Sequence, residues 1–271
     1  PESAAGAAGG IGQTMSNRGV NFSVMADGPA GLRLTMDEDD AGNTYFPIGT
    51  MQACTWNETL IEQTGAEIGK EAKYNQVSVW LAPALNIHRD PLCGRNFEYY
   101  SEDPVLAGKI GAAMTKGVQS AGVSVSAKHF AANNQEYSRS GGDSIVTERA
   151  LREIYLRGFE IAVKRSAPAA IMTAYNRING VYAANSKDLC TTIAREEWGF
   201  EGVIMSDWNT TVPEDGSIPW KCTAAGNDII MPGNLKDEEN IRRALERGDL
   251  IEEDVRSCAG RVLRLIEKYE P

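Results

Sequence analysis

The chain has 271 residues, 42% hydrophobic and 24% charged, with a net charge of -10 at neutral pH and an isoelectric point near 4.9. This acidic balance, with Lys and Arg scattered rather than clustered, excludes a nucleic-acid binder, which needs a basic face. No stretch approaches the roughly 18 uninterrupted apolar residues of a membrane span. The length suits one α/β barrel, which commonly takes about 250 residues.

At the N-terminus, "PESAAGAAGGIGQTMSNRG" lacks the apolar core of a signal peptide. Its glycines are not spaced as a dinucleotide loop either, so residues 1–20 are expected to be a flexible connector and 21–271 the folded domain. The start also fits a cut or truncated polypeptide. From Phe22 onward, short apolar runs alternate with longer segments of helical period, the signature of βα units around a parallel sheet. The expected strands are "FSVMAD", "VSVWLAP", "GVSVSAKHF", "AAIMTAYN", "GVIMSDW" and "NDIIMP". Between them, Asn57 to Tyr74 places Leu60, Ile61, Thr64, Ile68 and Ala72 on one stripe, and Pro104 after Asp103 opens a helix running towards Gln119. Thr147 is a helix N-cap before Leu151, Ile154, Tyr155, Phe159 and Ala162. The last helix, Ile251 to Tyr269, turns Val255, Cys258, Ala259, Val262, Leu265 and Ile266 inward. The predicted fold class is α/β, a (β/α)8 TIM-like barrel, irregular or incomplete because fewer than eight strands are clear.

Cys54, Cys93, Cys190, Cys222 and Cys258 are odd in number and form no C-x-x-C pair, so they read as free, buried thiols of a reducing compartment, with the cytoplasm expected. His88 and His129 lie too far apart for an H-x-x-x-H metal motif, and neither a metal nor a cofactor is expected.

Each apolar run ends in polar or aromatic residues, and in a parallel barrel these ends converge on one mouth. Asp207 and Trp208 close "GVIMSDW". An aspartate there is by default a turn or cap residue, yet a rigid strand, an indole of the kind sugar rings stack on, and neighbouring donors point to chemistry. Lys128, Arg95 and Arg139 are expected to hold Asp207 ionised, as suits a nucleophile. Lys128 and His129 end another strand as candidate donors to a polyhydroxylated ligand, and Asp27 in "ADGPAG" is either a turn residue or an acceptor for vicinal hydroxyls. The stretch "GRNFEYYSEDP" crowds Phe97, Tyr99 and Tyr100 among charges and is expected to fold onto the mouth. Retaining glycoside hydrolysis needs a second carboxyl about 5 Å from the first; Glu98, Glu102 and Glu136 are the internal candidates, and none ends a strand as Asp207 does.

Six ordered stretches, "ADGPAGLRL", "LAPALNIHRDPLCGRNFEYYSEDP", "KHFAANNQE", "IMTAYNRINGVYAANS", "TTIAREEWGFEGVIMSDW" and "AGNDIIMPG", cover residues 25–233 almost continuously. Together they resemble the catalytic barrel of glycoside hydrolase family 3, β-glucosidase type. The resemblance implies a retaining exo-β-glycosidase with Asp207 as nucleophile and Trp208 lining the sugar subsite. Asp27, Arg95, Lys128, His129 and Arg139 would bind the hydroxyls of the terminal sugar of a β-linked oligosaccharide or an aryl or alkyl glucoside. Tyr175 would stand beside the nucleophile, with Met172 a neighbour or core residue. In this family the acid/base glutamate comes from an α/β sandwich domain, so the resemblance implies a second segment or chain as partner. Homo-oligomerisation stays open, as do a β-xylosidase or other exo-glycosidase and a non-catalytic sugar-binding barrel. The loop "NTTVPEDGSIPWKC" is longer than the family pattern, and "KHFAANNQE" departs from the "KHFPGHG"-like loop of the N-acetylglucosaminidase branch.

Overall fold

The computed structural model describes residues 9–11, 17–34 and 43–269. The strands are β1 (Gly9–Ile11), β2 (Ser23–Ala26), β3 (Val77–Trp80), β4 (Ser124–Phe130), β5 (Asp143–Ser144), β6 (Ala170–Thr173), β7 (Arg177–Ile178), β8 (Val181–Tyr182), β9 (Val203–Trp208) and β10 (Ile229–Met231). One sheet has the order β1-β2-β3-β4-β6-β9-β10. Its six strands from β2 to β10 are parallel and neighbour one another in chain order, as βα units dictate. All six expected apolar runs form these strands. The seventh strand, β1, pairs antiparallel with β2, so at Gly9–Ile11 the segment expected to be a connector is a sheet edge. Residues 1–8 and 12–16 of that segment lie outside the described residues. A second, three-stranded sheet, β5-β7-β8, is built from the loops that follow β4 and β6.

The main sheet is curled. Met25 of β2 and Met231 of β10, five strands apart, share one buried cluster with Val79, Leu81, Ala170, Met172, Val203 and Met205, which only a sheet wrapped around its own side chains allows. Leu265 and Tyr269 at the end of the last helix join that cluster, so a helix helps fill the interior of an incomplete barrel.

The helices are α1 (Gly49–Cys54), α2 (Glu58–Tyr74), α3 (Pro104–Ser120), α4 (Glu148–Ala150), α5 (Arg157–Ser166), α6 (Pro219–Ala225), α7 (Leu235–Arg247) and α8 (Glu252–Lys268), with π-helical turns at Leu151–Tyr155 and Asp188–Glu197. Their starts follow sequence chemistry. Asn57 accepts from the Leu60 amide at 3.1 Å and Asp103 from Val105 at 2.7 Å, and Thr147 caps α4 through Ala150. On α2 the predicted stripe is shifted: Leu60 is exposed, while Gly65 and Gly69 are buried with Ile61, Ile68 and Ala72. The cause is a close helix crossing, because a Cβ on Gly117 of α3 would lie 2.1 Å from the Glu62 carbonyl oxygen. On α8, Ala259 is exposed, and the inward face is carried by Cys258, Leu265 and Ile266. Four of the five cysteines are buried and all are free, whereas Cys54 is exposed.

Candidate functional site

At the C-terminal ends of the parallel strands lies a cavity of about 1040 Å³. Asp27, Arg95, Lys128, His129, Arg139, Tyr175, Asp207 and Trp208 all line it. The sequence-predicted residues are therefore brought together, by β4 and β9 themselves and by the loops after β2, β3, β4 and β6. Met172 belongs both to the cavity wall and to the barrel interior. Phe97 also lines the cavity, half exposed, while Tyr99 and Tyr100 are buried, so the aromatic loop does fold onto the mouth.

Asp207 is delivered by a strand whose Val203 to Ser206 are completely buried. Its Oδ1 accepts from the Trp208 amide at 2.7 Å. Among the described residues its Oδ2 is buried without a hydrogen-bond partner and faces His129 Nε2 at 3.7 Å. Tyr175 stands beside the carboxylate, and burial together with that charge raises its pKa; its hydroxyl donates to the Trp208 carbonyl at 2.6 Å, beneath the Arg139 guanidinium 4.6 Å above its ring. After Trp208, Asn209 takes a left-handed turn at φ 59° and donates to the Met231 carbonyl, tying the loop to β10. The long loop beyond it is closed by Ser217, whose amide donates to the Thr210 carbonyl at 3.0 Å.

The cations are not free to attend Asp207. Lys128, 1% exposed, donates to Asp27 Oδ1 at 2.6 Å. Arg95 donates to Glu98 at 2.6 Å, and Arg139 to Glu136 at 2.8 Å. Burial consequently dominates and pushes the Asp207 carboxyl above the usual aspartate range, against the pull of the Trp208 amide, Arg95, Lys128 and Arg139. The expected pull of those cations is present, and burial outweighs it. The pairings that engage them are local in sequence for Arg95 and Arg139, yet they depend on loop geometry that spacing does not fix. Asp27 behaves oppositely. Burial acts to raise its pKa, but Lys128, the Gly28 amide and Arg33 outweigh it and hold the carboxyl below its ordinary value.

His129 is anchored by its backbone, since Asn86 accepts from its amide at 2.7 Å and donates to its carbonyl at 2.9 Å. Burial first, then Arg95, Lys128 and Arg139, hold the imidazole well below the usual histidine range, so it is neutral. Asn86 and the hydroxyl of Tyr99 are site-supporting groups that sequence reasoning missed, while Glu98 and Glu136, candidates there for the second carboxyl, are the partners of Arg95 and Arg139. Among the described residues, no cluster of three or more His, Cys, Asp or Glu could hold a metal ion. The arrangement offers one carboxylate oxygen unpartnered among the described residues, several N–H donors and an indole, which together can hold and attack a polyhydroxylated ring.

Comparison with known proteins agrees. The model of the glycosyl hydrolase family 3 N terminal domain matches residues 13–265. Beta-glucosidase A of Butyrivibrio fibrisolvens is 49% identical over 235 residues, 86% of this chain and 28% of the relative. An exo-alpha-(1->6)-L-arabinopyranosidase of Bifidobacterium breve is 41% identical over 237 residues, 84% of this chain and 31% of the relative. The structure of beta-glucosidase 3B from Thermotoga neapolitana in complex with alpha-D-glucose superposes with a TM-score of 0.91 at 48% identity, covering 98% of this chain and 38% of that one. The chain thus spans 28% to 38% of the length of these relatives. With its curled parallel sheet, its mouth of polar strand ends and a family match over nearly all of its length, the chain belongs to glycosyl hydrolase family 3.

Proposed function

We propose that this chain is the nucleophile-bearing part of a retaining exo-β-glycosidase, a β-glucosidase that releases glucose from the non-reducing end of β-glucosides. The observation that carries the reading is Asp207 Oδ2, buried without a partner at the wall of a cavity lined by N–H donors. In the reaction Oδ2 attacks the anomeric carbon, the bond to the leaving oxygen breaks, and a glycosyl-enzyme ester forms; water then hydrolyses it. Arg95, Lys128, His129 and Arg139 would hold the sugar hydroxyls, with Asp27 accepting from them and Trp208 as the stacking face.

The leaving oxygen needs a proton. Among the described residues, the other carboxylates lining the cavity are Asp27, Glu98 and Glu136, and each is ion-paired. None fits a protonated general acid. We therefore assign that role to a glutamate on an α/β sandwich domain supplied by a further segment or a second chain; relatives about three times longer leave room for it.

The test is reaction with a 2-deoxy-2-fluoro-β-glucoside, followed by peptide mass mapping, with and without the partner segment. A single adduct on Asp207, faster with the partner, is expected. An adduct elsewhere overturns the nucleophile; no adduct under either condition favours a non-catalytic sugar-binding barrel; full-rate hydrolysis by this chain alone overturns the missing acid. Because an arabinopyranosidase stands among the relatives, a panel of aryl glucosides, xylosides and arabinosides fixes the sugar.

A further inference from the structure

We infer that Tyr99 is a positioning residue that sets the tautomer of His129, so that Nε2 always presents an N–H to the cavity beside Asp207 Oδ2. The inference follows from counting donors. Asn133 Nδ2 lies 3.0 Å from Tyr99 Oη and 3.0 Å from Glu136 Oε1. Turning the amide over would press its oxygen against the Glu136 carboxylate, so the nitrogen faces both groups and spends its two hydrogens on them. Tyr99 Oη is then an acceptor from Asn133, and its own proton needs another acceptor. The neighbouring one is His129 Nδ1 at 3.5 Å, with the two rings edge to face at a centroid distance of 6.3 Å and an interplanar angle of 77°.

Both partners are in the required state. Burial keeps the proton on the Tyr99 hydroxyl well above the usual tyrosine range, and His129 is neutral. A neutral imidazole that accepts at Nδ1 carries its hydrogen on Nε2, the nitrogen 3.7 Å from Asp207 Oδ2. The chain Asn133, Tyr99, His129 therefore fixes a donor next to an unpartnered acceptor. On the functional reading above, on which this step rests, a sugar hydroxyl entering the gap accepts from His129 and donates to Asp207.

The test uses the chain labelled with nitrogen-15 at histidine. It contains two imidazoles, and His88, whose Nε2 lies 2.9 Å from the Asn96 carbonyl and 3.0 Å from that of Tyr99, is an internal reference for the Nε2–H form and for local folding. The expected spectrum has His129 protonated on Nε2 with Nδ1 hydrogen-bonded. In Tyr99→Phe the Nδ1 resonance should move downfield to that of a free acceptor while His88 stays in place. A wild-type proton on Nδ1 or an Nδ1 resonance unmoved in Tyr99→Phe overturns the assignment. In the active assembly Tyr99→Phe should lower kcat/KM about tenfold, the worth of one hydrogen bond. If the tautomer is as stated but the fluorosugar fails to label Asp207, the functional reading fails and the tautomer assignment survives.

Discussion

Asp207 and Asp228 stand at opposite ends of the neighbouring strands β9 and β10, and both carboxylates are almost completely buried. Asp228 is saturated. Its Oδ2 accepts from Arg195 at 2.9 Å and from the Ile204 amide at 2.8 Å, and its Oδ1 from Arg261 at 2.8 Å. Arg195 reaches further, to the carbonyls of Gly202 and Gly226, so the knot ties the entrances of both strands to helix α8. Asp207 accepts one backbone amide and leaves Oδ2 unpartnered. A carboxylate that has spent its lone pairs holds a fold together, whereas one that keeps an oxygen free is available to a substrate. In barrels these two ends divide the labour in just this way, stability at the entry of the strands and chemistry at their exit.

The largest expected effect tests that division at the exit. Asp207→Asn should lower kcat on an aryl β-glucoside by at least about 10⁴-fold in the active assembly, while the far-UV spectrum is kept and the unfolding midpoint does not fall. A variant that retained a tenth of the activity would remove Asp207 from the chemistry. Next comes Asp228→Ala. It leaves two mostly buried guanidiniums without their carboxylate, so urea unfolding should show a loss of about 3–5 kcal/mol. The fraction that remains folded should still acquire the fluorosugar label on Asp207. A loss under about 1 kcal/mol would show that the knot is ornamental.

The exit was far more legible in the sequence than the entry. Asp27, Lys128, His129, Tyr175, Asp207 and Trp208 end an apolar run or stand just beyond one, so strand direction alone brings them to one mouth, while Arg95 and Arg139 lie deeper in the loops, and six ordered motifs reinforced the assignment. The knot at the entry joins Asp228 to Arg195 and Arg261, each 33 positions away. Which turn of a helix meets which strand depends on rotation and translation that hydrophobic period leaves open. The same limit hid the partners within the site. Arg95 and Arg139 were readable as cations near Asp207, but their pairing with Glu98 and Glu136 was not, nor was the depth of burial that outweighs their pull on Asp207. Tyr269 entering the barrel interior was hidden likewise, because a closing side chain at a helix end has no periodic signature.

Asp27 lies between the two extremes, being saturated like Asp228 yet placed at the mouth like Asp207. Asp27→Ala should therefore cost both properties. It leaves Lys128 buried and unpaired, a loss of about 3 kcal/mol, and it removes an acceptor for substrate, raising KM. The pH dependence follows from its depressed pKa. Asp27 contributes stability above the ordinary aspartate value of 3.8, and that contribution is lost as pH falls through its lower native value. Acid unfolding of Asp27→Ala should therefore be flatter over that window than that of the parent; equally steep curves would show that the Lys128 pair contributes nothing.

The smallest effect is the most discriminating, because it has the opposite sign. In the native state burial raises the Asp207 pKa above its unfolded value of 3.8, so between those two values the folded chain holds a proton the unfolded chain has released. Stability from this group therefore falls as pH rises through the window, and above it the ionised carboxylate is a cost. Asparagine has no such titration. Asp207→Asn should be slightly more stable than the parent at neutral pH, by on the order of 1 kcal/mol for one poorly satisfied buried group, and the difference should vanish below the ordinary aspartate range. Paired melting curves across pH read this directly. If Asp207→Asn were instead destabilised at neutral pH, as Asp228→Ala must be, the exit carboxylate would be a structural tie, and the contrast between the two ends of the strands would collapse.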